Sequence, residues 1–185
     1  MRAKRARCAR RLVGAVGSLA VLVASTVQAD SVAFSGGYGE QTNIWSLAAV
    51  WDRASPLVEK DAWRMMGQLE IDGMVLQGRR SNTDGYKNLV AVGATPVGRF
   101  EWPQNGYVPF IDLGIGINFL SHTTLQDDKK FSTAFQFGEL LGVGLRFGQG
   151  GAYELGARIQ HMSNGKIKTP NDGITFAVVH AAYHF

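Results

Sequence analysis

Ile111-Asp112-Leu113-Gly114-Ile115-Gly116-Ile117-Asn118-Phe119 alternates without interruption between large apolar residues and polar or small ones. A period of two is that of a β-strand, whose successive side chains point to opposite faces. The stretch 63–72 repeats the pattern, with Trp63, Met65, Gly67, Leu69 and Ile71 set against Arg64, Met66, Gln68, Glu70 and Asp72. One face of each strand is greasy, and the other carries charges and glycines. A soluble barrel turns the greasy face inward. A membrane barrel turns it to lipid and fills its narrow interior with polar side chains.

Working outward from these two stretches, alternating segments fall at about 31–38, 44–52, 63–73, 88–99, 108–119, 135–147, 151–161 and 175–185, separated by turn-rich polar ones. Several are near the ~9–11 residues that a tilted strand needs to cross a bilayer. Their number is even, aromatics cluster near their ends, and the chain finishes Tyr183-His184-Phe185. A terminal strand ending in Phe looks like the signal by which outer-membrane proteins are recognised for assembly. Closure leaves no free sheet edge, which lipid requires. The expected fold is therefore all-β, an eight-stranded antiparallel transmembrane β-barrel, in preference to a periplasmic or secreted β-sandwich.

The first residues read as a targeting signal. Arg2, Lys4, Arg5, Arg7, Arg10 and Arg11 precede an apolar run over 12–24, and Val27-Gln28-Ala29 offers small residues where a signal peptidase cuts. The run falls short of the ~20 residues of a membrane-spanning helix. Residues 1–29 are expected to be removed, leaving one domain over 30–185. Taking those six basic residues from 19 leaves 13 against 15 acidic ones, so the net charge of +4 becomes −2. A nucleic-acid partner loses its electrostatic support there. The single cysteine, Cys8, excludes a disulfide framework within the chain.

With both termini on the periplasmic side, connections alternate. External loops are expected at 39–43, 74–87, 120–134 and 162–174, and periplasmic ones near 53–62, 100–107 and 148–150, the last a tight glycine-rich turn. Parity places Arg64, Glu70, Asp72, Asp112, Arg146, Glu154 and Arg158 inside. Eight strands enclose too little space for an open aqueous channel. A mutually neutralising packed network is favoured over an ion path, and general porin activity is not expected.

The informative stretch is Gln160-His161-Met162-Ser163-Asn164-Gly165-Lys166-Ile167-Lys168-Thr169-Pro170-Asn171-Asp172-Gly173. His161 and Ser163 are two apart, so both side chains leave the strand on one side, the outward one, together with Tyr153, Leu155, Ala157 and Ile159. An unpaired polar group buried without a partner costs ~1–3 kcal/mol. One reading is an interfacial pair wetted by headgroups. The other is an imidazole that takes the proton of a serine hydroxyl, making it nucleophilic toward an ester of the adjacent leaflet.

His161-Met162-Ser163-Asn164 followed by Pro170-Asn171-Asp172-Gly173 resembles the motif of the lipid A 3-O-deacylases, the PagL family of eight-stranded outer-membrane barrels. The resemblance in sequence is confined to 160–173; elsewhere it is one of signal segment, length, strand layout and terminal Phe. It implies an outer-membrane hydrolase of Gram-negative cells that removes the ester-linked 3-hydroxyacyl chain from lipid A. Ser163 would be the nucleophile, His161 the general base, and Asn171 the amide that meets the oxyanion. Asn164 would orient the loop, share that oxyanion role in binding substrate, or simply form the turn, and a backbone N–H near Gly165 or Lys166 is a candidate second donor that is left unassigned. The family's third triad member is an acid at the position of Thr175, which has no carboxylate. Three alternatives stay open: Thr175 accepts a hydrogen bond from the imidazole, Asp172 swings in, or His161 and Ser163 act as a dyad.

The implied partner is lipid A in lipopolysaccharide of the outer leaflet, with a homodimer left open. No metal or organic cofactor is expected, because His122, His180 and His184 are scattered without carboxylates at ligand spacing. His180 and His184 fall on the even face of the last strand and are expected to pack inside. The competing classes are a structural or adhesive barrel without chemistry, and an acyltransferase barrel with an apolar lumen, against which the charged even faces argue.

Overall fold

The computed structural model describes residues 28–79, 86–126 and 131–185. The signal segment read at 1–29 lies outside the described residues apart from its last two positions, as do 80–85 and 127–130 in two of the loops. The strands are β1 Ser31–Gly39, β2 Thr42–Asp52, β3 Val58–Glu59, β4 Arg64–Arg79, β5 Tyr86–Glu101, β6 Tyr107–Leu120, β7 Phe135–Phe147, β8 Tyr153–Ser163 and β9 Ile174–His184. Every neighbouring pair is antiparallel. β9 returns to β1 with Ser31 opposite His184, and β2 pairs directly with β4. The two-residue β3 only folds back onto the start of β4. The eight long strands thus form a closed antiparallel barrel, as the alternation predicts.

The outer wall carries the greasy face. Ile115 is 69% exposed and Val179 59%, and Leu47, Ile71, Val92, Leu113, Leu141, Val143, Leu155 and Ile159 are exposed with them. Bare aliphatic side chains over this whole circumference fit hydrocarbon and not water. At the end where β1 begins and β9 finishes, Phe147, Tyr153, Tyr183 and Phe185 form a chain of ring contacts. At the opposite end Phe119, Phe135 and Phe137 form another. Two aromatic clusters at the two rims are what a membrane barrel uses to sit at its interfaces.

Inside, the charges on the inward faces of the strands form a network, with Arg99 reaching it from the odd positions of β5. Arg99 donates to Asp112 at 2.7 and 2.9 Å and to Glu154 at 2.5 and 2.8 Å, with its guanidinium 3.7 Å from the centre of the Phe110 ring. Arg158 reaches Glu70 at 2.8 Å and Asp112 at 3.4 Å. His180 and His184 pair with the Glu154 oxygens at 3.0 and 3.1 Å, so both histidines pack in the lumen. Arg146 and Arg64 sit nearer the terminal rim, on Gly151 O and Glu101 respectively. Buried charges persist only when paired and hydrogen-bonded, which is the condition met here. A cavity of ≈ 30 Å³ lined in part by Glu70, Asp72, Thr95 and Asn118 holds little more than a water-sized occupant. Arg99 is absent from the set that parity assigns to the interior. It stands at the predicted end of its strand, where Gly93, Thr95 and Pro96 blur the alternation.

Two expectations change. β4 and β5 run on past the predicted loop at 74–87, pairing Arg79 with Tyr86, so only 80–85 separates them. The strand continues in phase, but its inward face turns apolar at Met74 and Leu76, which inverts the polarity rule. These residues join Ile44, Leu89, Ala91, Leu120, Leu125, Phe131, Met162, Ile174, Phe176 and Val178 in one buried cluster. The lumen is therefore charged only in part. Toward the loop end it is apolar and packed with the chain's own side chains. The connection after β7 is also longer than a tight turn, with a 3₁₀ turn at Gln149–Gly151 before Phe147 meets Tyr153.

Candidate active site

β8 and β9 form a hairpin in which His161 stands opposite Thr175. On its other side His161 stands opposite Glu139 of β7, and Ser163 stands opposite Phe137. The odd-numbered outward face expected for 161, 163 and 175 is the one observed, since Leu155, Ile159 and Val179 are exposed while Glu154 and Arg158 are 4% and 5% exposed. The pair thus sits on the outer wall near the aromatic rim of Phe135 and Phe137.

His161 Nδ1 lies 2.8 Å from Thr175 Oγ1. Gly173 then closes over the ring: a Cβ there would stand 3.0 Å from His161 Cε1 and 3.3 Å from Nε2, and its φ of 60° is one that glycine adopts without strain. The Thr175 hydroxyl and the bare backbone of Gly173 hold the imidazole from two sides. Asp172 is exposed in the loop, and no described hydrogen bond ties it to the ring.

Asn164 is fully buried. Its Nδ2 donates to Lys168 O at 2.8 Å and Ser132 Oγ at 3.0 Å, and reaches Thr133 Oγ1 at 3.3 Å. Ser132 Oγ in turn donates to Lys168 O. These contacts bury the side chain against the neighbouring loop. It fastens the β8–β9 loop to the loop between β6 and β7. Asn171 is half-buried, and its Oδ1 has no hydrogen-bond partner among the described residues. Gly165 and Lys166 take positive φ, with Ile167 N bonded to Asn164 O, so the chain after Ser163 turns sharply. Phe137 fills the space a side chain at Gly165 would need, 3.3 Å away.

Two acids lie beside this site that the motif does not contain. Glu139 interrupts an otherwise apolar outward row of Phe137, Leu141, Val143 and Leu145, a signal that parity could have given. Glu40, in the β1–β2 turn, accepts a hydrogen bond from Thr175 N at 3.1 Å. Nothing in the local sequence around Glu40 announces that, because the contact depends on the register between the first and last strands. Among the described residues no group of three or more His, Cys, Asp or Glu is arranged to hold a metal ion.

Comparison with known proteins agrees with the barrel fold. The family model described as lipid A 3-O-deacylase (PagL) matches residues 44–184. A lipid A deacylase PagL of Pseudomonas aeruginosa is 29% identical over 154 residues, covering 83% of this chain and 85% of its own. A lipid A deacylase PagL of Bordetella bronchiseptica is 34% identical over 92 residues, covering 50% of this chain and 49% of its own. Among solved structures, that of the outer membrane enzyme PagL superposes with a TM-score of 0.74 at 24% identity, over 84% of this chain and 99% of that one, and so shares the fold. A match spanning every barrel strand but the first places the chain in a family by more than its motif: it belongs to the lipid A 3-O-deacylase (PagL) family.

Proposed function

We propose that this chain is an outer-membrane lipid A 3-O-deacylase working by a serine-hydrolase mechanism on the leaflet beside its wall. The observation that carries the reading is the outward-facing His161, held at Nδ1 by Thr175, two residues from Ser163 on the same strand face. With the Nδ1 proton donated to Thr175 Oγ1, Nε2 keeps its lone pair and serves as the base.

Ser163 Oγ attacks the ester carbonyl carbon at the 3-position of lipid A while His161 Nε2 takes the hydroxyl proton. The carbonyl oxygen becomes an oxyanion, and the Asn171 amide is the side-chain donor placed in the same loop to meet it; one such donor is worth about 3–4 kcal/mol of barrier. Collapse of the tetrahedral intermediate expels the glucosamine 3-oxygen, which receives the proton back from His161. Water then attacks the acyl-serine with His161 again as base, releasing a 3-hydroxy fatty acid. The acyl chain needs no internal pocket, because the exposed wall of Leu141, Val143, Leu155 and Ile159 already lies in hydrocarbon. All of these residues come from one chain, so a homodimer is compatible with the site and not required by it. Residues 1–29 serve as the export signal that delivers the barrel to the membrane.

Incubating the purified barrel with lipid A in detergent and identifying the released fatty acid tests the reading. Release of one 3-hydroxyacyl chain, with the amide-linked chains retained, supports it. Gain of an acyl chain from phospholipid, or no change in lipid A, would replace it with the transferase or the purely structural barrel.

A further inference from the structure

Thr175 gives His161 a hydrogen-bond acceptor but no negative charge, and a general base that becomes an imidazolium needs one nearby. The barrel supplies a carboxylate at that position from another strand. The β1–β9 ladder pairs Tyr38 with Ala177, and two residues further along the same register Glu40 comes opposite Thr175. Glu40 Oε1 accepts the Thr175 amide proton at 3.1 Å, while Thr175 Oγ1 takes His161 Nδ1 at 2.8 Å. Even positions of β1 face outward, as exposed Phe34 and Tyr38 show, so Glu40 continues the same face as Thr175 and His161. Glu40 in the β1–β2 turn, Thr175 on β9 and His161 on β8 form one row.

The turn that presents Glu40 is held against backbone preference. Gly39 pairs with Thr42, leaving a two-residue hairpin whose central residues, Glu40 and Gln41, have φ of 48° and 62°. Asn and Gly favour these left-handed positions; glutamate and glutamine do not. Gln126 fixes the turn by donating to Glu40 O and to Thr42 Oγ1, both at 2.8 Å. Gly39 permits the approach, since a side chain there would overlap Thr175 O. Strain retained at two successive residues, together with the contacts that hold the turn, is the pattern of a functional constraint.

We infer that Glu40 is the site's missing acid: a positioning residue that acts through Thr175, its fixed negative charge orienting the hydroxyl toward His161 and stabilising the imidazolium formed as Ser163 attacks. No proton passes to Glu40 in this role. The role rests on the serine-hydrolase reading above. Glu139, on the opposite side of His161, is the rival carboxylate, but His161 Nδ1 is turned to Thr175 and away from the β7 side.

The test compares Glu40→Gln, Glu40→Asp and Glu139→Gln in the full barrel, with Ser163→Ala in parallel and folding checked by the heat-dependent gel shift of the barrel. Glu40→Gln is expected to lower kcat by about 10- to 100-fold with KM changed less than about threefold, part of the ~10⁴ a directly bonded triad acid supplies. Glu40→Asp keeps the charge and recovers part of the rate. Installing the carboxylate directly by Thr175→Glu makes the Glu40→Gln penalty shrink to a few-fold, the non-additivity expected of two groups doing one job. Full kcat in Glu40→Gln, a change in KM alone, or a larger kcat loss in Glu139→Gln overturns the inference. Loss of activity in Ser163→Ala beside an unaffected Glu40→Gln would remove Glu40 alone and leave the serine mechanism standing. Activity retained in Ser163→Ala would remove both.

Discussion

His161 Nδ1 and Thr175 Oγ1 are 2.8 Å apart across a register pair of the β8–β9 hairpin. The imidazole is thereby turned by a hydroxyl and not by a carboxylate. Thr175→Val keeps the shape and removes the acceptor, and should slow hydrolysis about 10- to 100-fold, below the ~10⁴ that a lost triad acid costs. Asp172→Asn should change the rate little. Steady-state release of 3-hydroxy fatty acid measures both; a harmless Thr175→Val beside a crippling Asp172→Asn would assign the acid to Asp172.

Gly173→Ala should be a catalytic defect in a folded barrel. The added methyl stands 3.0 Å from His161 Cε1, on a backbone with φ of 60°, so either the ring or the turn has to move. A left-handed alanine costs roughly 1–2 kcal/mol, and a barrier raised by as much is about a tenfold loss of rate. Wild-type activity in Gly173→Ala would mean that the ring is not held from that side.

Asn164→Ala should loosen the site without touching its chemistry. It removes the tie from the β8–β9 loop to Ser132 and Thr133 and leaves buried acceptors unmatched, at a cost of about 1–3 kcal/mol. Limited proteolysis should then cut the loop over 164–173 sooner than in the unaltered protein. Unchanged cleavage with unchanged activity would contradict the tie.

Arg99→Ala should be among the most destabilising single changes in the lumen, about 3–5 kcal/mol, because it leaves Asp112 and Glu154 buried beside an absent cation. Arg64→Ala should cost less, because the Arg64 side chain is 36% exposed and its loss leaves one buried carboxylate, Glu101, where Arg99→Ala leaves two. Reversible urea unfolding in vesicles compares the two, and equal losses would deny Arg99 its place as the hub.

Much of this was legible before any coordinate. The alternation in 111–119 and 63–72 carries the barrel and the face of every residue on those strands, because a period of two leaves no choice once one face is assigned. The same rule fails at Met74 and Leu76, where apolar residues turn inward to plug the barrel, since periodicity reports phase and not the identity of the solvent on each side. Arg99 was hidden by its position at a blurred strand end. His161, Ser163 and Asn171 stand in a motif within eleven residues, and Thr175 is the position at which the chain departs from it. Glu40 was not legible, because 135 positions separate it from Thr175 and only closure of the first strand onto the last brings them together.

The central claim is that Ser163 is the nucleophile, and mass spectrometry of lipid A from cells expressing the unaltered protein or Ser163→Ala tests it most directly. The account predicts lipid A lacking one ester-linked 3-hydroxyacyl chain in the first case, and fully acylated lipid A in the second, with both barrels folded to the same extent in the membrane. Lipid A trimmed to the same degree by Ser163→Ala would contradict it.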